Sequence, residues 1–472
     1  MARSIVIIGA GPAGLAAALE AERQGARVTL VDEGQRPGGQ IYRQGSPALG
    51  GKDVAEAAEI RRKHDLLDAF CRVRARLDYR PNTSAFALFG PREVHVATDE
   101  RTQVLGADAV ILANGVREVA MPFPGWTTPG VMYAGGAQSL IKGQRTLPGR
   151  NVVVAGSGPL PIVVAAQILR AGGKVAAFAP LHPVTAGARN LAGLWHGRGI
   201  VLEGLRYLAT VMKAGVEQLT GFVPIRARGT ERLESVVLAR LDAAGRVVKG
   251  SEREIACDAL AINYGFAANS ELAAMAGARM RYQQLTGGWL PEVDSFGRSS
   301  VEGIFVAGDM AGLRGALVAE TEGRLVGAAA ATAPEAFVKQ SFEQSWRKEL
   351  TRRRRLCEFQ EVVRAMLAQP RALFAVADDD TIICRCENVT VRNLRFAFSA
   401  GHLAPNTIKR STRAAMGWCG GRTCLPMIMA LAEIHAKAAP SAMMTPRPLA
   451  RPVPLSALAN PTKGQSDAEQ DR

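Results

Sequence analysis

Histidine and cysteine are both scarce in this chain, with six and seven residues among 472. No constellation of His and carboxylate residues stands out, so the sequence names no general base and the catalytic residues are unknown. Seven thiols are too few for a disulfide scaffold. The N-terminus MARSIVIIGAG runs straight into a strand pattern, with no apolar leader ending in small residues. The expectation is a cytoplasmic protein with reduced thiols, in which clustered cysteines mean metal or redox chemistry. Long unbroken apolar runs are absent too. Val119 to Ile141 and Asn151 to Leu169 are uncharged, but Pro122, Pro124, Gly125, Pro129 and Gly130 make the first a loop. Gly156, Gly158, Pro159 and Pro161 make the second a strand, a turn and a helix. Acidic residues fall short of basic ones, 43 against 58, for a net charge of +15. Part of the excess lies in RKELTRRRRL, Arg347 to Leu356, which reads as a solvated helix face. No nucleic-acid-binding motif accompanies it, so nucleic acid is not an expected partner, while a peripheral place at the inner membrane face stays open.

What is present begins at Ser4. Ile5 to Ile8 is a short apolar run of the kind a buried parallel strand needs. Gly9, Gly11 and Gly14 complete G-x-G-x-x-G at the turn into a helix, with Pro12 and Ala13 between them. The first glycine allows the turn, the second lets a pyrophosphate reach the backbone, and the third lets helix and strand pack closely. The helix N-terminus offers free amides to the phosphates. A second strand, Val28 to Val31, ends at Asp32 and Glu33, where a carboxylate can accept ribose hydroxyls. Set in a full strand–turn–helix–strand–acid unit, the motif is a strong dinucleotide signal.

Asn151 to Pro180 repeats the pattern with defects. Gly156, Ser157, Gly158 and Pro159 form the turn, but Pro161 takes the third glycine position. Counting along the chain puts Ala179 where Asp32 stands in the first unit, so no acid is offered to a ribose. A second nucleotide-binding fold is expected there, with its use of NAD(P)H doubtful and a second nucleotide left open.

Four of the seven cysteines gather near the C-terminus: Cys384 and Cys386 as C-x-C, Cys419 and Cys424 as C-x4-C. Cys71, Cys257 and Cys357 stand alone. Four thiolates suit zinc or an iron–sulfur cluster. C-x-C is tighter than usual zinc spacing, and Gly420 and Gly421 would let backbone N–H groups turn toward sulfur.

DAVILANG (Asp108 to Gly115), SSVEGIFVAGDMAG (Ser299 to Gly312) and RPGGQIYR (Arg36 to Arg43), taken with the first fingerprint, resemble the two-dinucleotide-domain flavoproteins, the class of thioredoxin reductase and the pyridine-nucleotide disulfide reductases. The resemblance implies an α/β fold with two Rossmann-like domains. It implies FAD on the first fingerprint, on Gly38, Gly39 and Gln40, on Ala113 and Gly115, and on Gly308 and Asp309. A helix starting near Gly315 would aim its N-terminus at the flavin. The cysteine pair of disulfide reductases is missing, so that activity is not expected. Ala375 to His435 resembles the [2Fe–2S]-binding domain related to bacterioferritin-associated ferredoxin, in a C-x4-C variant, which implies a cluster on Cys384, Cys386, Cys419 and Cys424.

Nearly the whole chain resembles the alpha subunits of opine oxidases, D-hydroxyproline dehydrogenases and the cyanide-forming glycine dehydrogenase. VDEGQRPGGQIYR, MPFPGW, GSGPL, AGDMAG and TRAAMGWCGGRTC occur in the right order. The resemblance implies an electron-transferring role within a complex. An FAD-containing beta subunit would bear the substrate site, a small ferredoxin-like subunit is a further partner, and a quinone, cytochrome or carrier would take the electrons. A self-contained NAD(P)H-dependent reductase feeding the cluster, and a non-redox scaffold with zinc, are the alternatives. The expected domains are 1–117 and 259–334 for FAD, 118–258 for the second nucleotide unit, 335–378 as a helical connector, 379–437 as a small α-rich [2Fe–2S] domain, and 438–472 as an extended tail, disordered from about Thr462.

Overall fold

The β-branched run Ser4–Ile8 forms the middle strand of a five-stranded sheet in a computed structural model that describes residues 2–50, 53–90, 92–183, 191–283, 288–366, 370–438 and 442–462. The sheet order is Ile304–Val306, Ala109–Leu112, Ser4–Ile8, Arg27–Val31, Asp78–Arg80, and every pairing is parallel. Helix Pro12–Arg23 covers one face together with helix Ala316–Ala331. The two helices touch backbone to backbone: a Cβ on Gly323 would stand 2.2 Å from the Ala13 carbonyl oxygen, and one on Gly327 2.4 Å from that of Ala17. On the other face lie three antiparallel strands, Ser84–Phe89, Glu93–Ala97 and Thr102–Gly106.

A second five-stranded parallel sheet has the order Glu217–Gln218, Val175–Pro180, Val152–Gly156, Ala259–Asn263, Val131–Tyr133. The uncharged run from Asn151 folds as read, into strand Val152–Gly156 and helix Leu160–Arg170. Pro161 sits in the first turn of that helix, where its missing N–H has no intrahelical partner to lose. The run Val119 to Ile141 is not all loop. Its breakers stop at Gly130, and strand Val131–Tyr133 and helix Ala134–Gln144 begin directly after. Strands Val116–Glu118 and Phe266–Ala268 pair antiparallel and carry the chain between the two sheets.

Helix Arg347–Met366 carries the basic run, which is not wholly a solvated face. Arg353 Nε lies 2.8 Å from Oε1 of Glu322, a buried carboxylate in helix Ala316–Ala331 that also takes Arg314 at 3.1 Å. The charge of Arg353 answers a buried negative one.

The C-terminal unit is built from helices Val391–Ser399, Pro405–Thr412 and Cys424–Ala436 around a short hairpin, Ile382–Cys384 with Val389–Thr390. Thr390 and Asn393 close a capping box at the first of these helices. The unit shares one apolar core with the second sheet, joining Leu373, Ile383 and Met427 to Met121, Phe123 and Trp126. Trp126 Nε1 donates to the Ile382 carbonyl at 2.6 Å, which pins the cysteine hairpin to the nucleotide fold.

The tail lies along the chain's own surface. Ala450 N donates to Phe86 O at 2.6 Å, and Pro461–Thr462 pairs with Thr102–Gln103. The expected disorder beyond Thr462 falls outside the described residues.

Candidate functional site: a glycine-walled cavity and four thiols

One cavity of about 1410 Å³ runs between the two sheets. Its first end is the turn after strand Ser4–Ile8. Gly9, with φ 105°, leaves no room for a side chain: a Cβ would stand 2.5 Å from the Ala113 carbonyl oxygen. Gly11 and Gly39 face each other so closely that a Cβ on Gly39 would lie 2.8 Å from Gly11 Cα. Gly9, Gly11, Pro12, Ala13, Asp32, Glu33, Gly39, Gln40, Ala113, Gly115 and Asp309 all line the cavity. Gly14, Gly38 and Gly308 lie behind its wall and set the packing: their Cβ atoms would meet the Gly9 carbonyl oxygen, the Tyr42 carbonyl oxygen and Ala13 Cβ.

The two acids hold loops. Asp32 Oδ2 accepts from Ala10 N, and its Oδ1 from Gly34 N at 2.6 Å. Asp309 Oδ1 accepts from Arg314 N at 2.8 Å and Gly315 N at 2.6 Å, which fixes the start of helix Ala316–Ala331 with Ala316 and Leu317 in the cavity wall. Burial raises both carboxyls above the usual carboxylate range, against these amide bonds. Asn114 Oδ1, also at the wall, is buried with no partner among the described residues. A backbone cradle that side chains would fill, a helix N-terminus and an orphaned acceptor fit a flavin dinucleotide.

The second fingerprint lines the far end through Ser157, Gly158 and Pro159. Gly156 stays behind the wall, against Asn263 O. A register shift between Val152 and Val153 places Pro180, and not Ala179, opposite Gly156, whereas Ile8 pairs with Val31 and so leaves Asp32 beside Gly9. Counting along the chain misses that one-residue irregularity. Proline, like alanine, offers a ribose no acceptor from its side chain.

Sequence reading overlooked the middle of the cavity. Glu118, at the end of the strand that follows the Ala113–Gly115 turn, is mostly enclosed. Its Oε1 accepts from Asn263 Nδ2 at 2.7 Å and its Oε2 from Gly135 N at 2.8 Å. Burial pushes its carboxyl up to about 7 against those two bonds. Arg117 beside it donates to Ala268 O, Asn269 Oδ1 and Arg422 O, and pairs with Glu271 at 2.9 Å. Arg422 and the tail residues Ala450 and Arg451 complete this wall. The only hint in the sequence was an Arg-Glu pair directly behind ANGV.

A carboxyl that binds protons more tightly folded than unfolded makes stability fall as pH rises from the unfolded value near 4.3 through the folded one. A Glu118→Gln variant should therefore gain thermal stability on the parent chain between pH 5 and 8, and thermal melts across that range check it. A constant offset would show that Glu118 has an ordinary pKa.

The four cysteines meet in two pairs. Cys384 is hydrogen-bonded to Cys424, and Cys386 to Cys419. The hydrogen bond with Cys424 draws Cys384 down to about 6, while that same bond and burial raise Cys424. Backbone N–H groups of Cys386, Glu387 and Ala415 reach Cys384, and that of Cys419 reaches Cys386. The amides near sulfur are thus not that of Gly420, which donates to Gly417 O at 2.8 Å. Gly417 leaves no room for a side chain in the loop, since a Cβ there would stand 2.1 Å from Cys386 Cβ. Among the described residues no three of His, Cys, Asp and Glu close on one point as a single ion requires. The two thiol pairs offer the four thiolates that a [2Fe–2S] cluster takes as ligands. Cys71 is exposed, Cys257 buried and Cys357 half-buried, with none joined to this group.

A fingerprint cavity between two nucleotide-binding sheets, with four thiols in an appended helical unit, defines a flavoprotein joined to an iron–sulfur module. The chain belongs to the pyridine nucleotide-disulphide oxidoreductase family, whose model matches residues 3–333, and residues 382–433 match the BFD-like [2Fe-2S] binding domain. The A subunit of opine oxidase from Rhizobium meliloti is 33% identical over 96% of this chain and 87% of that one. Hydrogen cyanide synthase subunit HcnB of Pseudomonas aeruginosa is 32% identical over 96% of this chain and 98% of that one. L-proline dehydrogenase from P. horikoshii shares the fold, with a TM-score of 0.69 at 22% identity, covering 98% of this chain and 80% of that one. The chain is an oxidoreductase, and its cofactors are FAD and a [2Fe–2S] cluster. Among the described residues no helix is long and apolar enough to cross a membrane.

Proposed function

We propose that this chain is the electron-transferring alpha subunit of a heteromeric flavin-dependent amino-acid or opine dehydrogenase or oxidase. In this reading it works with an FAD-containing beta subunit that bears the substrate site and oxidises a C–N bond. Gly9, Gly11, Asp32, Gly39 and Asp309 hold FAD, with Gly14 packing behind the fingerprint turn, and Cys384, Cys386, Cys419 and Cys424 hold the cluster. FAD, when bound, supplies the exchange between a two-electron donor and one-electron carriers. The chain's own part is to present amides to the pyrophosphate, to set the N-terminus of helix Ala316–Ala331 toward the charge of the reduced ring, and to keep the cluster thiols within a buried unit.

The observation that carries this reading is a shared wall. Arg422 stands in the thiol loop, two residues before Cys424, and also lines the cavity, where its carbonyl accepts Arg117 Nε at 2.8 Å. Cofactor pocket and cluster loop are separated by one layer of residues. The names of the relatives, one from opine oxidase and the other hydrogen cyanide synthase subunit HcnB, point to one component of a larger enzyme. The NAD(P)H-dependent alternative draws on the second fingerprint lining the same cavity, and Pro180 and Pro161 speak against it.

Anaerobic mixing of the purified chain with stoichiometric NADH, with NADPH, and with a panel of amino acids and opines tests the assignment. The flavin should stay oxidised with all of them and bleach with dithionite. Bleaching by NADPH would establish the reductase, and bleaching by an amino acid would move the substrate site into this chain.

A further inference from the structure

Glu118 is an ionisable group of the cavity to which the FAD reading gives no task. It ends the strand that begins one residue after Gly115, and it lines the same cavity as the first fingerprint. Its neighbours are polar but none supplies a countercharge. Asn263 and the Gly135 amide bond its two oxygens. The opposing strand Phe266–Ala268 brings no titratable group. The first turn of helix Ala134–Gln144 brings none either. Tyr133, just before that helix, is held protonated, first by burial and then by Glu118, and it also feels Arg385, Arg117 and Cys419 on its cluster side. Arg117 is committed to Glu271 and to three backbone or amide oxygens. Among the described residues Glu118 forms no salt bridge.

We propose that Glu118 is the proton-linked group of the flavin cavity: it binds a proton when the flavin is reduced and releases it when the electrons pass to the cluster. The inference rests on the reading of the cavity as the FAD site. Its physical basis is like-charge repulsion inside a poorly solvated space. Reduction would add negative charge to the cavity that Glu118 lines, and that charge disfavours ionisation of a carboxylate with no cation of its own. Oxidised flavin with ionised Glu118 takes two electrons and two protons, one proton on the ring and one on the Glu118 carboxylate. In the reverse direction the [2Fe–2S] cluster accepts the electrons one at a time and no protons, so both protons leave to water in the cavity. Glu118 follows Arg117, which donates to the Arg422 carbonyl of the thiol loop at 2.8 Å, and so stands on the side of the cavity where the electrons would depart.

The test is the slope of the flavin midpoint potential against pH, measured on the holoprotein by dye-coupled titration between pH 5.5 and 9. The parent chain should show a slope approaching twice the one-proton value just above neutrality, the signature of two protons per two electrons, and the one-proton slope at both ends of the range. Glu118→Gln should show the shallower, one-proton slope throughout. A reduced-minus-oxidised infrared spectrum of the parent chain gives a second reading that needs no variant: a protonated-carboxyl C=O band should appear on reduction and be absent in Glu118→Gln. Equal slopes in both proteins, with no carboxyl band, would overturn the role of Glu118 while leaving the flavin reading intact. Protein that binds no flavin would remove the reading of the cavity itself.

Discussion

Cys424→Ser leaves the flavin in place and strips the four-thiol site of iron and sulfide. Cys424 is fully buried at the first position of helix Cys424–Ala436, and its sulfur is tied to that of Cys384. Serine is smaller and its oxygen is a harder, far more weakly ionised ligand, so one corner of the cluster loses its thiolate. Among the described residues none of the other three cysteines is hydrogen-bonded to the group to replace it. The cavity glycines belong to a different sheet, so flavin content should stay at the parent level. Iron and sulfide assays on the purified variant check this, with the flavin spectrum as internal control. Full iron content in the variant would show that Cys424 is not a ligand.

Gly39→Val has the second largest expected effect, and on the other cofactor. Gly39 has φ 61°, a conformation that a β-branched side chain adopts only under strain of about 1–3 kcal/mol. Any Cβ there also falls 2.8 Å from Gly11 Cα, in the cradle of the fingerprint. Backbone cannot swing aside as a flexible side chain would. The two penalties together should weaken FAD binding at least about a hundredfold, since each 1.4 kcal/mol is tenfold. The variant should purify with its cluster but without flavin absorbance. Gly199→Ala is the control: among the described residues no atom beyond its own stretch of helix lies within 4 Å of that Cβ, and alanine suits a helix better by about 0.5–1 kcal/mol. Equal flavin content in the Gly39→Val and Gly199→Ala proteins would show that the Gly11–Gly39 approach is not where the cofactor lies.

The parts of this molecule that could be read from the chain are those in which one residue type has one physical use. Gly9 and Gly14 sit where only glycine fits, and the apolar runs beside them become the strands that carry the fingerprint. What could not be read depends on register and on distant approach. The irregularity at Val152/Val153 moves the residue opposite Gly156 from Ala179 to Pro180, and nothing in the local sequence marks it. Arg353 looked like surface charge until helix Ala316–Ala331 brought Glu322 beneath it. Glu118 gains its properties from Asn263 and Gly135, residues of two other segments, and from enclosure that no short motif encodes. The wall shared by the cavity and the thiol loop is likewise a product of tertiary packing, because Arg117 and Arg422 meet only in the fold.

The central claim is that one chain holds a flavin and a two-iron cluster side by side. Anaerobic purification followed by a visible spectrum, iron, zinc and sulfide assays, and EPR after dithionite reduction tests it most directly. FAD bands, iron and sulfide in equal amounts, and the rhombic signal of a reduced [2Fe–2S] cluster are the predicted result. Flavin accompanied by zinc and no sulfide would contradict it.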